Sequence, residues 1–145
     1  MTTRYELIGS LQVPLPSAEA FRLFTARGEE DWVAGWQPRF PVPTEDDTEP
    51  GTVFETDADG HRTTWLVTER DRPHRIAYAR VTPGARAGLV TVLLAETDSG
   101  SEVTVRYDLT PLDPAVTPQL EEFAANYPAF LQSWQDAIEG WLRRP

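Results

Sequence analysis

The chain has 145 residues, 23 acidic and 13 basic, a formal net charge of −10 and no cysteine. That length suits a single domain, 1–145, with a real core; the negative balance argues against nucleic acid as a partner, and the lack of thiols excludes disulfides, thiolate metal ligands and cysteine nucleophiles. All 13 basic residues are arginine, which excludes Schiff-base chemistry and a lysine-linked pyridoxal cofactor.

The opening MTTRYELIGS has no basic start followed by an apolar run, and no stretch approaches the roughly 18 apolar residues of a membrane span. The expectation is a soluble, cytoplasmic protein. Arg4–Val13 alternates loosely as a first strand, which Pro14 and Pro16 end. Ser17 is placed to cap a short helix running to about Thr25, with Glu19 in its first turn and Phe21, Leu23 and Phe24 as its contacts. Glu29–Gly35 reads as a second short helix, with acids at its start and a glycine stop. Between Gln37 and Pro50 four prolines surround an acidic run and forbid a helix, although Arg39-Phe40 could pair briefly at a sheet edge.

From Gly51 the pattern becomes strands separated by turn residues. Thr52–Thr56, His61–Glu69, Arg75–Thr82, Leu89–Glu96 and Glu102–Thr110 are separated by Asp57–Gly60, Asp71–Pro73, Pro83-Gly84 and Asp98–Gly100, as expected of successive antiparallel hairpins. Alternation puts Phe54, Trp65, Val67, Ile76, Tyr78, Val90, Val92, Leu94, Val103, Val105, Tyr107 and Leu109 on one face. Glu55, Thr64, Thr68, Arg106 and Asp108 take the other.

Pro118–Arg143 is amphipathic at helical period, and its apolar side carries Phe123, Tyr127, Phe130, Trp134 and Trp141. Pro128 interrupts it. An interior proline costs about 3 kcal/mol, less than the gain from burying five rings of roughly 150–250 Å² each at about 25 cal/mol per Å². The expectation is one helix kinked near Tyr127 and Pro128, or else two segments, the second starting at Pro128. Either form covers the inner face of the sheet, and Tyr127-Pro128 would edge any chamber beneath it.

The strand ending in Val13-Pro14, the run Ser17-Ala18-Glu19-Ala20-Phe21-Arg22-Leu23-Phe24, Trp32-Val33-Ala34-Gly35-Trp36, Gly51-Thr52-Val53-Phe54, Thr64-Trp65-Leu66-Val67, Tyr107-Asp108-Leu109-Thr110-Pro111 and the C-terminal helix together resemble the SRPBCC superfamily. These are the START and Bet v 1-like helix-grip proteins, including polyketide cyclase-like and Hsp90-activator-homology domains. The turn Arg72-Pro73-His74 departs from the Pro-Pro turn of the Hsp90-activator branch. The resemblance implies an α+β fold in which a curved antiparallel sheet of about six or seven strands wraps a long C-terminal helix. It also implies two short helices at one end and an apolar cavity between sheet and helix.

Candidate cavity residues are Trp32, Trp36, Phe54, Trp65, Tyr78, Arg80, Tyr107, Phe123, Tyr127, Phe130 and Trp134, since apolar ligand pockets are lined mainly by such rings with a few placed polar groups. A closed core of the same rings is the alternative. Arg80 is in phase with Ile76 and Tyr78. Turned inward, its guanidinium must be paired or face a wet pocket, where it could hold a carboxylate or polarised oxygen; turned outward, it follows its stem to solvent beside Pro83-Gly84. Trp32 and Trp36 form a lid on the core, or a gate. His61 with Asp57 and Asp59 is the one local cluster of metal-ligand types, at no metal-site spacing. Neither it nor His74 has triad partners, so neither metal nor cofactor is expected.

These residues support three readings. The first is binding of a small apolar or amphipathic molecule. The second is a cyclase- or dehydratase-like enzyme using the same cavity, with Arg80, Tyr78, Tyr107 or His61 as acid–base groups. The third is a chaperone-interacting domain, although no residue singles out a protein partner.

Overall fold

The computed structural model describes residues 3–144. Six strands form one antiparallel sheet: β1 (Tyr5–Val13), β2 (Val53–Ala58), β3 (His61–Asp71), β4 (Arg75–Thr82), β5 (Arg86–Thr97) and β6 (Gly100–Pro111). Their spatial order is β1-β6-β5-β4-β3-β2. Hairpins join every neighbouring pair except β1 and β6, where the first strand closes against the last. The strands run on to the turn residues, where Asp59 (φ 52°), Gly60 (φ 79°) and Gly84 (φ 73°) take the left-handed backbone that tight turns require. Every residue assigned by alternation to the inner face is buried, and Ile8, Leu66, Leu89 and Leu93 lie exposed on the outer one.

Both short helices after β1 are present, but tighter than expected. α1 (Ser17–Ala20) passes directly into a 3-10 turn over Phe21–Phe24, and a second 3-10 turn covers Gly28–Asp31 rather than Glu29–Gly35. Trp32, at φ −134°, has already left the helical region. Ser17 is not a cap: Pro16 holds that position, and the Ser17 hydroxyl is buried against that of Ser101 at 3.0 Å. Arg39 forms a single bridge to Glu55 in an otherwise irregular segment.

The C-terminal helix divides in two. α2 (Thr117–Ala125) and α3 (Tyr127–Leu142) are separated by Asn126 at φ −104°, ψ 13°. Pro128 is thereby the second residue of α3, in a first turn where its missing N–H leaves no interior bond unmade. The joint is closed by the Asn126 carbonyl accepting from the Phe130 amide at 2.9 Å, while the Asn126 side chain donates to Glu122 O, also at 2.9 Å. Across the break the rings stay together. Phe123 meets Tyr127 and Phe130 edge-on at 5.6 and 4.9 Å between centroids, and Tyr107 rises from the sheet into the same cluster.

α3 lies along β1, at one edge of the sheet. Gly9 permits this approach: a Cβ there would lie 2.7 Å from Leu131 Cδ1. The helix therefore covers the β1 side, and the segment between β1 and β2 closes over the rest. Among the described residues, no helix is long and apolar enough to cross a membrane.

Candidate functional site: an aromatic chamber under the lid

Two transverse rows of side chains build the floor. In the first, Phe54, Trp65, Arg80 and Gly88 are cross-strand partners running from β2 to β5; in the second, Val67, Tyr78, Val90 and Tyr107 run from β3 to β6. Cross-strand partners share a face, so these rings are forced together. Phe54 stacks on Trp65 at 5.7 Å and 4°, and Tyr78 meets Trp65 edge-on at 6.2 Å. Gly88 contributes no side chain next to Arg80.

Above this floor is a cavity of about 300 Å³. Phe130 and Trp134 of α3 form one wall. Phe24, Glu29, Val33, Ala34, Gly35 and Trp36 form the lid, and Thr56, Asp57, Ala58 and Thr63 the rim. Two indole N–H groups bind the lid to the preceding turn: Trp32 donates to Leu23 O and Trp36 to Ala26 O, each at 2.7 Å. Trp36 then sets its ring edge-on to Phe54 and Trp65.

Of the residues expected to line a cavity, Trp36, Phe54, Trp65, Tyr78, Arg80, Tyr107, Phe130 and Trp134 do so. Trp32, Phe123 and Tyr127 do not. Trp32 is sealed behind the wall by Phe24 and Trp134. Phe123 lies in the ring cluster beyond Tyr107, and Tyr127 is buried with its hydroxyl donated to Val105 O at 2.7 Å. The helix break therefore does not edge the chamber.

Arg80 turns inward. Its guanidinium lies 4.7 Å from the centroid of Trp65, Nη2 donates to Thr82 Oγ1 at 3.3 Å, and its buried Nε has no hydrogen-bond partner. No carboxylate pairs with it among the described residues. Burial lowers its pKa, and the nearby charge of Arg86 adds to the effect against the opposing influence of Tyr107.

Glu29 was read from sequence only as an acid at a helix start. Its carboxyl in fact lines the chamber among apolar groups, and burial pushes its pKa up to about 8. The available signal was spacing alone: Glu29, Val33 and Trp36, which line the chamber, recur at i, i+4 and i+7, although the helical turn itself ends at Asp31. Tyr107 is within electrostatic reach of both Arg80 and Glu29, and burial raises its hydroxyl above the usual range. Tyr78 is not free in this way, because its hydroxyl is donated to Phe24 O at 2.7 Å.

The remaining acid–base candidate, His61, is outside the chamber at the start of β3. Beside it, Asp57 is engaged by Arg39 at 2.7 Å and by Arg62 at 3.4 Å, which lowers its pKa, Arg39 contributing most. Asp59 is the left-handed turn residue. The cluster is used for turn geometry and ion pairing.

No curated protein matches the chain. Among solved structures, an uncharacterised protein from Rhizobium leguminosarum superimposes with a TM-score of 0.68 at 20% identity, covering 100% of this chain and 98% of its own. Norcoclaurine synthase from Thalictrum flavum gives 0.67 at 14% identity, covering 99% of this chain and 89% of its own. A protein in the dynemicin biosynthetic locus gives 0.66 at 18%, covering 92% of this chain and 47% of its own. At these identities the likeness is one of fold, and it agrees with the helix-grip arrangement derived from the strands and rings. A family model described as polyketide cyclase / dehydrase and lipid transport matches residues 8–133, a range that includes the lid, the floor strands and Phe130 of α3 and stops one residue short of Trp134, and the chain belongs to that family.

Proposed function

We propose that the protein binds a small apolar or amphipathic molecule in the chamber between the sheet and α3. The observation that carries this reading is the 300 Å³ cavity walled by rings from four strands, α3 and the lid, at the lower end of the roughly 300–1,000 Å³ typical of small-molecule sites. A core packed only for stability leaves few voids larger than a water molecule. The family description, which joins cyclases with lipid transport, is consistent with an apolar cargo.

The test is fluorescence titration with the neutral probe N-phenyl-1-naphthylamine, on the wild type and on Val92→Phe, which places a ring in the space that Val92 lines. One saturable site per chain is expected, lost in the filled variant while the melting temperature is kept. Absence of saturable binding, or equal binding by V92F, removes the reading.

A second reading, proton transfer on the bound molecule, is favoured by one arrangement. Glu29, Arg80 and Tyr107 line the same chamber, and a carboxyl with a pKa near 8 is matched to take and return a proton near neutral pH. Glu29 would remove a proton next to a carbonyl, while Arg80 or Tyr107 stabilises the developing oxyanion. Deuterium incorporation from D₂O into 2-tetralone, measured against a buffer blank, tests this. Exchange faster than the blank and lost in Glu29→Gln supports it; exchange equal to the blank disposes of it.

A further inference from the structure

Outside Arg80 a second, more polar groove of about 720 Å³ adjoins the chamber, formed by the β2–β3 and β4–β5 turns and the start of α2. Ala58, Thr63 and Arg80 line both spaces, so Arg80 stands at their junction. Arg86 lines the groove too, held by its hydrogen bond to Gln119 Oε1 at 2.8 Å. Its charge is felt at Arg80. Neither guanidinium has an ion-pair partner among the described residues; Arg4, Arg22, Arg39, Arg62, Arg70 and Arg75 have one, and Arg27, Arg72, Arg106, Arg143 and Arg144 do not.

What sets Arg80 and Arg86 apart is that they line one groove together and that the Nε of Arg80 is buried without a hydrogen-bond partner. Two acids and a histidine are also present in the groove. Asp113 is occupied as a cap, accepting from the Ala115 amide at 2.9 Å; Asp59 is in the turn and His61 follows it. Neither acid comes within ion-pair distance of Arg80 or Arg86. The guanidiniums therefore retain donors, and a planar fork of donors selects a carboxylate, sulfonate or phosphate oxygen pair.

Building on the binding function proposed above, we infer that the ligand is an amphipathic anion: its apolar body occupies the ring-lined chamber, and its acidic group occupies the outer groove against Arg80 and Arg86. Each space supplies what the other lacks, and Arg80, stacked on Trp65 at one side and open to the groove at the other, forms the boundary between them. Net negative charge elsewhere on the surface disfavours competing anion sites.

The experiment compares two probes that differ by one group, N-phenyl-1-naphthylamine and its sulfonated counterpart 1-anilinonaphthalene-8-sulfonate. In the wild type the sulfonate is expected to bind about tenfold more tightly, the order of one charge-assisted hydrogen bond. In R80M, and to a smaller degree in R86Q, the ratio of the two affinities falls towards one. If R80M does not fold, R86Q alone must lower the ratio about threefold or more. Neutral binding with no advantage for the sulfonate overturns the anion site and leaves the chamber standing. A sulfonate advantage that survives in R80M/R86Q overturns it as well, because the anion is then held elsewhere. Failure of both probes to bind removes the chamber reading and this inference together.

Discussion

The Arg80 guanidinium stacks over Trp65 at 4.7 Å while its own Nε is buried without a partner. These two facts oppose each other in free energy. A cation–π contact of this kind contributes about 0.5–2 kcal/mol, and a buried unsatisfied donor costs about 1–3 kcal/mol. The unliganded protein therefore gains little from this arginine. R80M is expected to leave the unfolding free energy within about 1 kcal/mol of wild type, or to raise it. Urea denaturation checks this, and a loss beyond about 2 kcal/mol would make Arg80 a structural support instead.

Glu29 gives the protein a pH signature. Its carboxyl goes from an ordinary value of 4.5 in the unfolded chain to about 8 when folded, so the folded state holds the proton more tightly. The corresponding stability is fully present below pH 4.5, is lost progressively as pH rises, and is gone above about 8. Because the chamber gives this carboxyl some contact with water, we expect a difference of a few kcal/mol rather than the full value of the shift. E29Q should match wild type near pH 4.5 and exceed it near pH 9. Parallel stability curves for the two proteins would show that the carboxyl is not desolvated.

Tyr127 separates packing from binding. Removing its hydroxyl in Y127F leaves the buried Val105 carbonyl without the donor it has at 2.7 Å, with an expected loss of about 1–2 kcal/mol in chemical denaturation. The ring does not line the chamber, so the affinity for N-phenyl-1-naphthylamine should not follow that loss. A parallel drop in affinity would place the helix joint at the ligand after all.

Trp36 is the reverse case. W36F gives up the N–H bond to Ala26 O and part of the ring edge against Phe54 and Trp65, so the lid is untied where it meets the chamber. The neutral probe should bind about three- to tenfold more weakly, and dissociate faster, for a stability change near 1 kcal/mol. Unchanged dissociation would mean that the lid is held by other contacts.

The sheet was legible because period-two alternation is imposed directly by backbone geometry. Phe54, Trp65, Tyr78 and Tyr107 could thus be placed on one face from spacing alone, and the helix rings followed in the same way. What could not be read depended on pairing in space. The joint at Asn126 rather than Pro128 reflects where the carbonyls find partners. Glu29 looked like a dipole-favoured acid because its neighbours across the chamber are tens of residues away. The outer groove is assembled from three turns with no local signature, and Gly88, which pairs with Arg80 in the sheet, lies outside the strand expected at Leu89–Glu96; it is a glycine because the Asp108 backbone fills the place of its Cβ.

Gly9 lines no part of the chamber, yet it sets the chamber's size. By letting Leu131 and Tyr127 settle against bare backbone, it fixes how low α3 rides on β1, and so how far Phe130 and Trp134 hang over the opposite half of the floor. A methyl group there would act like a shim under one end of a lever, lifting the helix at the sheet edge and changing the headroom across the molecule. The first strand of this chain thus acts as a volume control for the chamber, exercised from outside it.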